Sequence, residues 1–61
     1  MFELPVIEVK MWAGRTEEVK AKIVKEITEV FTRMGVPAQG VTVILVEIPK
    51  SNWGEAGKLS A

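Results

Sequence analysis

The stretch Gly40-Val41-Thr42-Val43-Ile44-Leu45-Val46-Glu47-Ile48-Pro49 decides the fold. From Val41 to Ile48 it is β-branched and almost continuously apolar, as expected of a strand covered on both faces, and Pro49 ends it. Working back toward the start, Pro5 to Trp12 alternates instead. Ile7, Val9 and Met11 fall on one side and Glu8, Lys10 and Trp12 on the other, with Val6 opening the polar side. That is the pattern of a half-buried strand. Between the two, Thr16 offers an N-cap oxygen, and Glu17 and Glu18 place negative charge where a helix start favours it. Val19, Ile23, Ile27, Val30, Phe31 and Met34 then make one apolar stripe of a helix predicted from about Glu17 to Met34. On its other face Glu18 and Lys22, Lys22 and Glu26, Lys25 and Glu29, and Glu29 and Arg33 stand four apart, the spacing of weak solvated ion pairs. Gly35 takes the place of a left-handed C-terminal residue, and Pro37 bars continuation.

Strand, long helix, strand requires a parallel crossover. The expected fold is therefore α/β: a single βαβ unit with parallel strands, one domain over residues 1–61, with Ser51 to Lys58 as a short C-terminal turn or hairpin. Two strands and one helix cannot cover a strand as apolar as Val41 to Ile48, so the sheet is expected to be completed by a second copy. The size of the chain points the same way. A domain of 61 residues buries only about 60% of the surface of its unfolded chain and needs a staple. With no Cys there is no disulfide, and with neither Cys nor His the usual zinc ligands are missing, which leaves homo-oligomerisation.

Eight basic residues balance eight acidic ones, all glutamates, and the two signs are interleaved, which argues against a nucleic-acid partner. No apolar run approaches the roughly 20 residues of a membrane span, and Met1-Phe2-Glu3-Leu4-Pro5 does not read as a secretory signal, so no membrane partner and a cytoplasmic location are expected. The chain also lacks His, Cys, Asp and Tyr. That removes most general bases and activated nucleophiles and leaves glutamates, lysines, two arginines and the backbone terminus.

Taken in order, Pro5-Val6-Ile7-Glu8-Val9-Lys10, Ala13-Gly14-Arg15-Thr16-Glu17-Glu18, the amphipathic helix, Val43-Ile44-Leu45-Val46-Glu47 and Lys50-Ser51-Asn52-Trp53-Gly54-Glu55-Ala56-Gly57 resemble the 4-oxalocrotonate tautomerase family. The resemblance runs from Pro5 to the end of the chain. It implies a cofactor-independent isomerase in which the amine of an N-terminal proline, here Pro5, is the general base. An amine taken out of water loses stability in its charged form, so its pKa falls toward neutrality and it can take up and return a proton. The implied reaction shifts a proton along an unsaturated 2-oxo acid, with no organic cofactor and no metal. The resemblance assigns Arg15 to the substrate carboxylate, as a planar two-bond grip, and Trp53 to the pocket wall. It further implies a dimer-based hexamer in which Arg15 and Trp53 serve the Pro5 of another chain. Packing in the core or between subunits accounts for Trp53 equally well, and for Trp12 better.

Two positions depart from the family pattern. Its second arginine falls on Thr42, after a loop one residue shorter, which bears on the preference for a dicarboxylate such as 2-hydroxymuconate; Lys10 and Lys50 are the cations available as electrostatic substitutes. The other departure is that Met1-Phe2-Glu3-Leu4 precede Pro5. Acylated by Leu4, the proline nitrogen is a tertiary amide with neither a proton nor a basic lone pair, so the 61-residue form is expected to be inactive or impaired. A translation start read at Leu4 and trimmed to Pro5 would restore the amine. The alternatives are a leader that silences the site, and a non-catalytic oligomeric ligand-binding or assembly protein of the same fold.

Overall fold

The computed structural model describes residues 4–60, so the expected leader lies outside the described residues except for Leu4. Strand β1 (Val6–Trp12) is followed by helix α1 (Glu17–Thr32), a 3₁₀ turn (Ala38–Gly40) and strand β2 (Thr42–Ile48). A second 3₁₀ turn (Lys50–Asn52) leads into a hairpin of β3 (Gly54–Glu55) and β4 (Lys58–Leu59). β1 and β2 pair in parallel, Val6 opposite Thr42 through to Trp12 opposite Ile48. The βαβ unit and the short hairpin are those expected from the sequence.

The local signals act as their chemistry requires. The Thr16 hydroxyl accepts the Val19 N–H at 3.2 Å and so caps α1. At the other end the helix stops at Thr32, two residues before Met34. Gly35 has φ +95°, its N–H donates to the Thr32 carbonyl, and the Val36 N–H reaches back to the Phe31 carbonyl. This is a Schellman closure, which only a residue tolerant of positive φ makes without strain. In the hairpin, Ala56 (φ 52°) and Gly57 (φ 79°) form the two left-handed centres of a tight type I′ turn.

One side of the sheet carries Ile7, Val9, Met11, Val43 and Leu45 toward α1. The helix meets it with Lys20, Ile23, Val24, Ile27, Thr28 and Phe31, all half-buried. The predicted stripe is therefore corrected at its margins: Val19, Val30 and Met34 are exposed. A two-stranded sheet, with strands about 4.8 Å apart, is narrower than a helix about 10 Å across, so Val19 and Val30 on the flanks of α1 overhang it, while Met34 lies in the turn past the helix end. None of the four charge pairs expected along α1 closes as an ion pair. Among the described residues the ion pairs are Lys20 with Glu47 at 2.6 Å, tying α1 to β2, and Lys10 with Glu8 at 3.7 Å. The Glu47 carboxylate, chiefly by its hydrogen bond, holds the Lys20 ammonium above the ordinary lysine value of 10.5.

β2 is covered on one side only. Ile44, expected in the core, faces away from the helix and is 45% exposed. Among the described apolar side chains only Met11 is buried. The chain is a slab of 44 × 25 × 13 Å with a radius of gyration of 14.5 Å, against about 10.5 Å for a compact domain of this length. Its 4910 Å² of accessible surface likewise exceeds the roughly 3900 Å² typical of its mass. Among the described residues the sheet and helix pack together without a closed core.

Candidate active site

The parallel register fixes where the site residues stand. Because β1 and β2 run the same way, whatever precedes both strands gathers at one end of the slab and whatever follows them gathers at the other. At the leading end the Thr42 backbone N–H donates to the Pro5 carbonyl at 3.0 Å, extending the ladder by one bond. Pro5 is half-buried. Gly40, which is buried, lies beneath Leu4, whose Cδ2 would be 2.9 Å from a Cβ placed there.

At the trailing end the Ala13 N–H donates to the Ile48 carbonyl at 3.0 Å, and the two chain segments leave the sheet side by side. Gly14 (φ +116°) swings the first segment round so that Arg15 Nη1 donates to the Trp12 carbonyl at 3.1 Å. The 3₁₀ turn after Pro49 brings Trp53 back onto Trp12, edge to face, with centroids 5.9 Å apart and an interplanar angle of 76°. The hairpin then holds Trp53 from both sides. Ser60 N–H donates to its carbonyl at 2.8 Å, and its own indole N–H donates to Glu55 Oε1 at 2.8 Å. Lys50 Nζ lies 4.6 Å from the centroid of the Trp12 ring, at cation–π distance.

Of the residues expected in the site, Pro5 and Thr42 are thus together, and Arg15 and Trp53 are together through Trp12. The two groups are not together within one chain. Seven strand residues at about 3.3 Å each put roughly 23 Å between Pro5 and Trp12. Neither Trp12, the hub of the trailing cluster, nor Glu55 was expected there. The register held the signal for Trp12: it is the last residue of β1 opposite Ile48, a few residues before the aromatic of the tail. Of the cations offered as substitutes, Lys10 is engaged with Glu8, whereas Lys50 joins the indole cluster. A separate open groove, lined by Lys20, Ala21, Val24, Lys25, Leu45 and Glu47, runs between α1 and β2, away from both ends.

Among the described residues no three His, Cys, Asp or Glu side chains converge on a point where a metal ion would sit, and no helix is long and apolar enough to cross a membrane. The trailing end thus gathers a guanidinium, an ammonium and two indoles around Trp12, while Pro5 and Thr42 stand at the leading end.

The parallel βαβ unit with its C-terminal hairpin is the fold of a small tautomerase-type chain. The tautomerase enzyme family matches residues 5–61, and the chain belongs to that family. It is 38% identical over 55 residues to a "probable tautomerase" of Ralstonia nicotianae, covering 88% of this chain and 79% of the relative. It is 34% identical to the 2-hydroxymuconate tautomerase of Comamonas testosteroni, covering 88% and 87%. A crystal structure from the 4-oxalocrotonate tautomerase isozymes of Methylibium petroleiphilum superposes with a TM-score of 0.86 at 32% identity, covering 92% of each chain.

Proposed function

We propose that this protein is a cofactor-independent tautomerase of unsaturated 2-oxo acids that works when Pro5 carries a free amine. The neutral secondary amine of Pro5 takes the proton from the 2-hydroxyl of an enol. The electron pair of the O–H bond becomes the new carbonyl, the conjugated double bonds shift, and the protonated amine returns the proton to carbon. Atoms and charge balance, and the amine is regenerated. Arg15 holds the substrate carboxylate, Trp53 keeps water from the amine, and Thr42 stands beside the base.

The observation that carries this reading is the separation of Pro5 from Arg15 and Trp53 by the length of β1. A single chain offers two half-sites at opposite ends, so a working pocket joins the leading end of one subunit to the trailing end of another. Oligomerisation then serves two needs at once, covering the open face around Ile44 and completing the site. A dimer-based hexamer in the cytoplasm, acting on a small-molecule acid, is the assembly and setting that go with this reading.

Leu4 acylates Pro5 in the 61-residue form, which on this account is the inactive one. The experiment is to follow ketonisation of 2-hydroxymuconate and phenylenolpyruvate by a chain beginning at Pro5, beside the 61-residue chain. Activity confined to the Pro5-start chain supports amine catalysis. Equal activity in both would assign the base elsewhere. Stable oligomers of the Pro5-start chain that turn over neither enol would favour the non-catalytic binding protein instead.

A further inference from the structure

Trp12 is the common partner of two cations. Its ring lies beneath the Lys50 ammonium at 4.6 Å, and its carbonyl accepts from the Arg15 guanidinium at 3.1 Å. One acid lies in the same cluster, Glu55, and one of its oxygens accepts the Trp53 indole N–H at 2.8 Å. A cation–π contact places an ammonium without neutralising it, so the Lys50 charge stays available to an anion. The leading end differs. Pro5, Val6 and Thr42 bring apolar groups and one hydroxyl; Lys10, further along β1, is paired with Glu8, and Arg33 closes α1 in the helix layer.

We propose that Lys50, held on the face of Trp12, is the second cation of the site, and that the pocket takes a 2-oxo acid with one carboxylate in preference to a dicarboxylate. This rests on the reading that the trailing end of one subunit faces the Pro5 of another. The carboxylate and the 2-oxygen then lie between Arg15 and Lys50 along the indole wall. The far end of the substrate reaches past Pro5 to Thr42. A second carboxylate there would leave water without a cation to receive it, and an unpaired buried charge is strongly disfavoured. A methyl or aryl end meets no such obstacle.

The test uses the Pro5-start oligomer and its own fluorescence, because the chain's two tryptophans are both in this cluster. The probes are 2-oxohexanoate and 2-oxoadipate, which differ only in the terminal carboxylate. The expected result is fluorescence saturation by 2-oxohexanoate at a concentration about tenfold below that of 2-oxoadipate. Lys50→Gln should weaken both acids by about tenfold, as loss of a charge-assisted bond does, and Lys50→Arg should recover most of the loss. Arg33→Gln should leave the ratio of the two acids unchanged. In turnover, Lys50→Gln should raise KM more than it lowers kcat, and 2-hydroxyhexa-2,4-dienoate should be preferred to 2-hydroxymuconate. Equal or tighter binding of 2-oxoadipate, an unaffected Lys50→Gln, or no fluorescence response to either acid would overturn the proposal. Binding with the expected preference but no ketonisation of either enol would support it while overturning the proton-transfer reading beneath it.

Discussion

Thr42 donates its backbone N–H to the carbonyl of Pro5 at 3.0 Å, so the residue that opens β2 is locked beside the residue that opens β1. This bond sets the leading end of the unit. It keeps the proline ring at a fixed height on the sheet, and it places a neutral hydroxyl where the family resemblance leads one to expect a guanidinium. The consequences for catalysis follow from chemistry that one N-terminal amine either has or lacks.

Removing residues 1–4 should raise kcat/KM for enol ketonisation by at least about 10²-fold over the 61-residue chain, the usual scale of a positioned general base. Only the neutral amine accepts a proton, so activity should fall tenfold per pH unit below the amine's pKa. Partial burial disfavours the ammonium, so that fall should begin at lower pH than for a proline amine in open water. A pH–rate profile of the Pro5-start chain checks both, and a profile flat from pH 5 to 9 would speak against the amine.

Charge on the open sheet face should dissolve the assembly. Ile44 faces away from α1 and is 45% exposed in the single chain. Ile44→Lys is expected to shift the sedimenting mass from oligomer to monomer and to abolish activity with it. An oligomer of unchanged mass would place the subunit interface elsewhere.

The pair of Lys20 and Glu47 joins the helix to the sheet, and its effect on stability has a definite sign. Lys20 titrates above 10.5 in the folded chain, so the stabilisation is fully present below that pH and is lost as pH rises through the raised value. Thermal midpoints of the wild type and Lys20→Met should differ at pH 8 and converge in strong alkali. A difference that is constant with pH would show that packing, not charge, is at work.

Ala56 occupies a left-handed position in the hairpin, where a Cβ is disfavoured by about 1 kcal/mol. Asn precedes Gly in such turns because it tolerates that conformation. Ala56→Asn should therefore stabilise the chain by about 0.5–1 kcal/mol, read as a higher denaturation midpoint, without change in activity.

Much of this was legible in the sequence because it is written in short-range chemistry. Thr16, Gly35 and Pro49 mark ends by backbone rules that need no tertiary context, and the alternation of Ile7, Val9 and Met11 names its own buried side. What resisted reading depends on what lies beside the chain. Val19 and Val30 fall on the flanks of a helix wider than its two-stranded sheet, Met34 lies past the helix end, and Ile44 sits on the sheet face that this chain leaves open. The trailing cluster was half legible: Arg15 and Trp53 came from resemblance, but their meeting on Trp12 depends on the register of β1 against β2 and on the turn after Pro49. The spacing of charges four apart along α1 suggested pairs that the structure replaces by one contact across elements, Lys20 with Glu47.

The central claim, that each pocket takes its base from one subunit and its arginine from another, is tested most directly by mixing two defective chains. One is the 61-residue chain, with an acylated Pro5 and an intact Arg15; the other is a Pro5-start chain carrying Arg15→Ala. Each alone should be at least about 10²-fold impaired. After they are unfolded together and refolded at equal ratio, random pairing should give about one pocket in four with both groups intact. Activity should then rise to roughly a quarter of that of the intact Pro5-start oligomer. Mixed oligomers, verified by native mass, whose activity is only the average of the two parents would contradict a shared site.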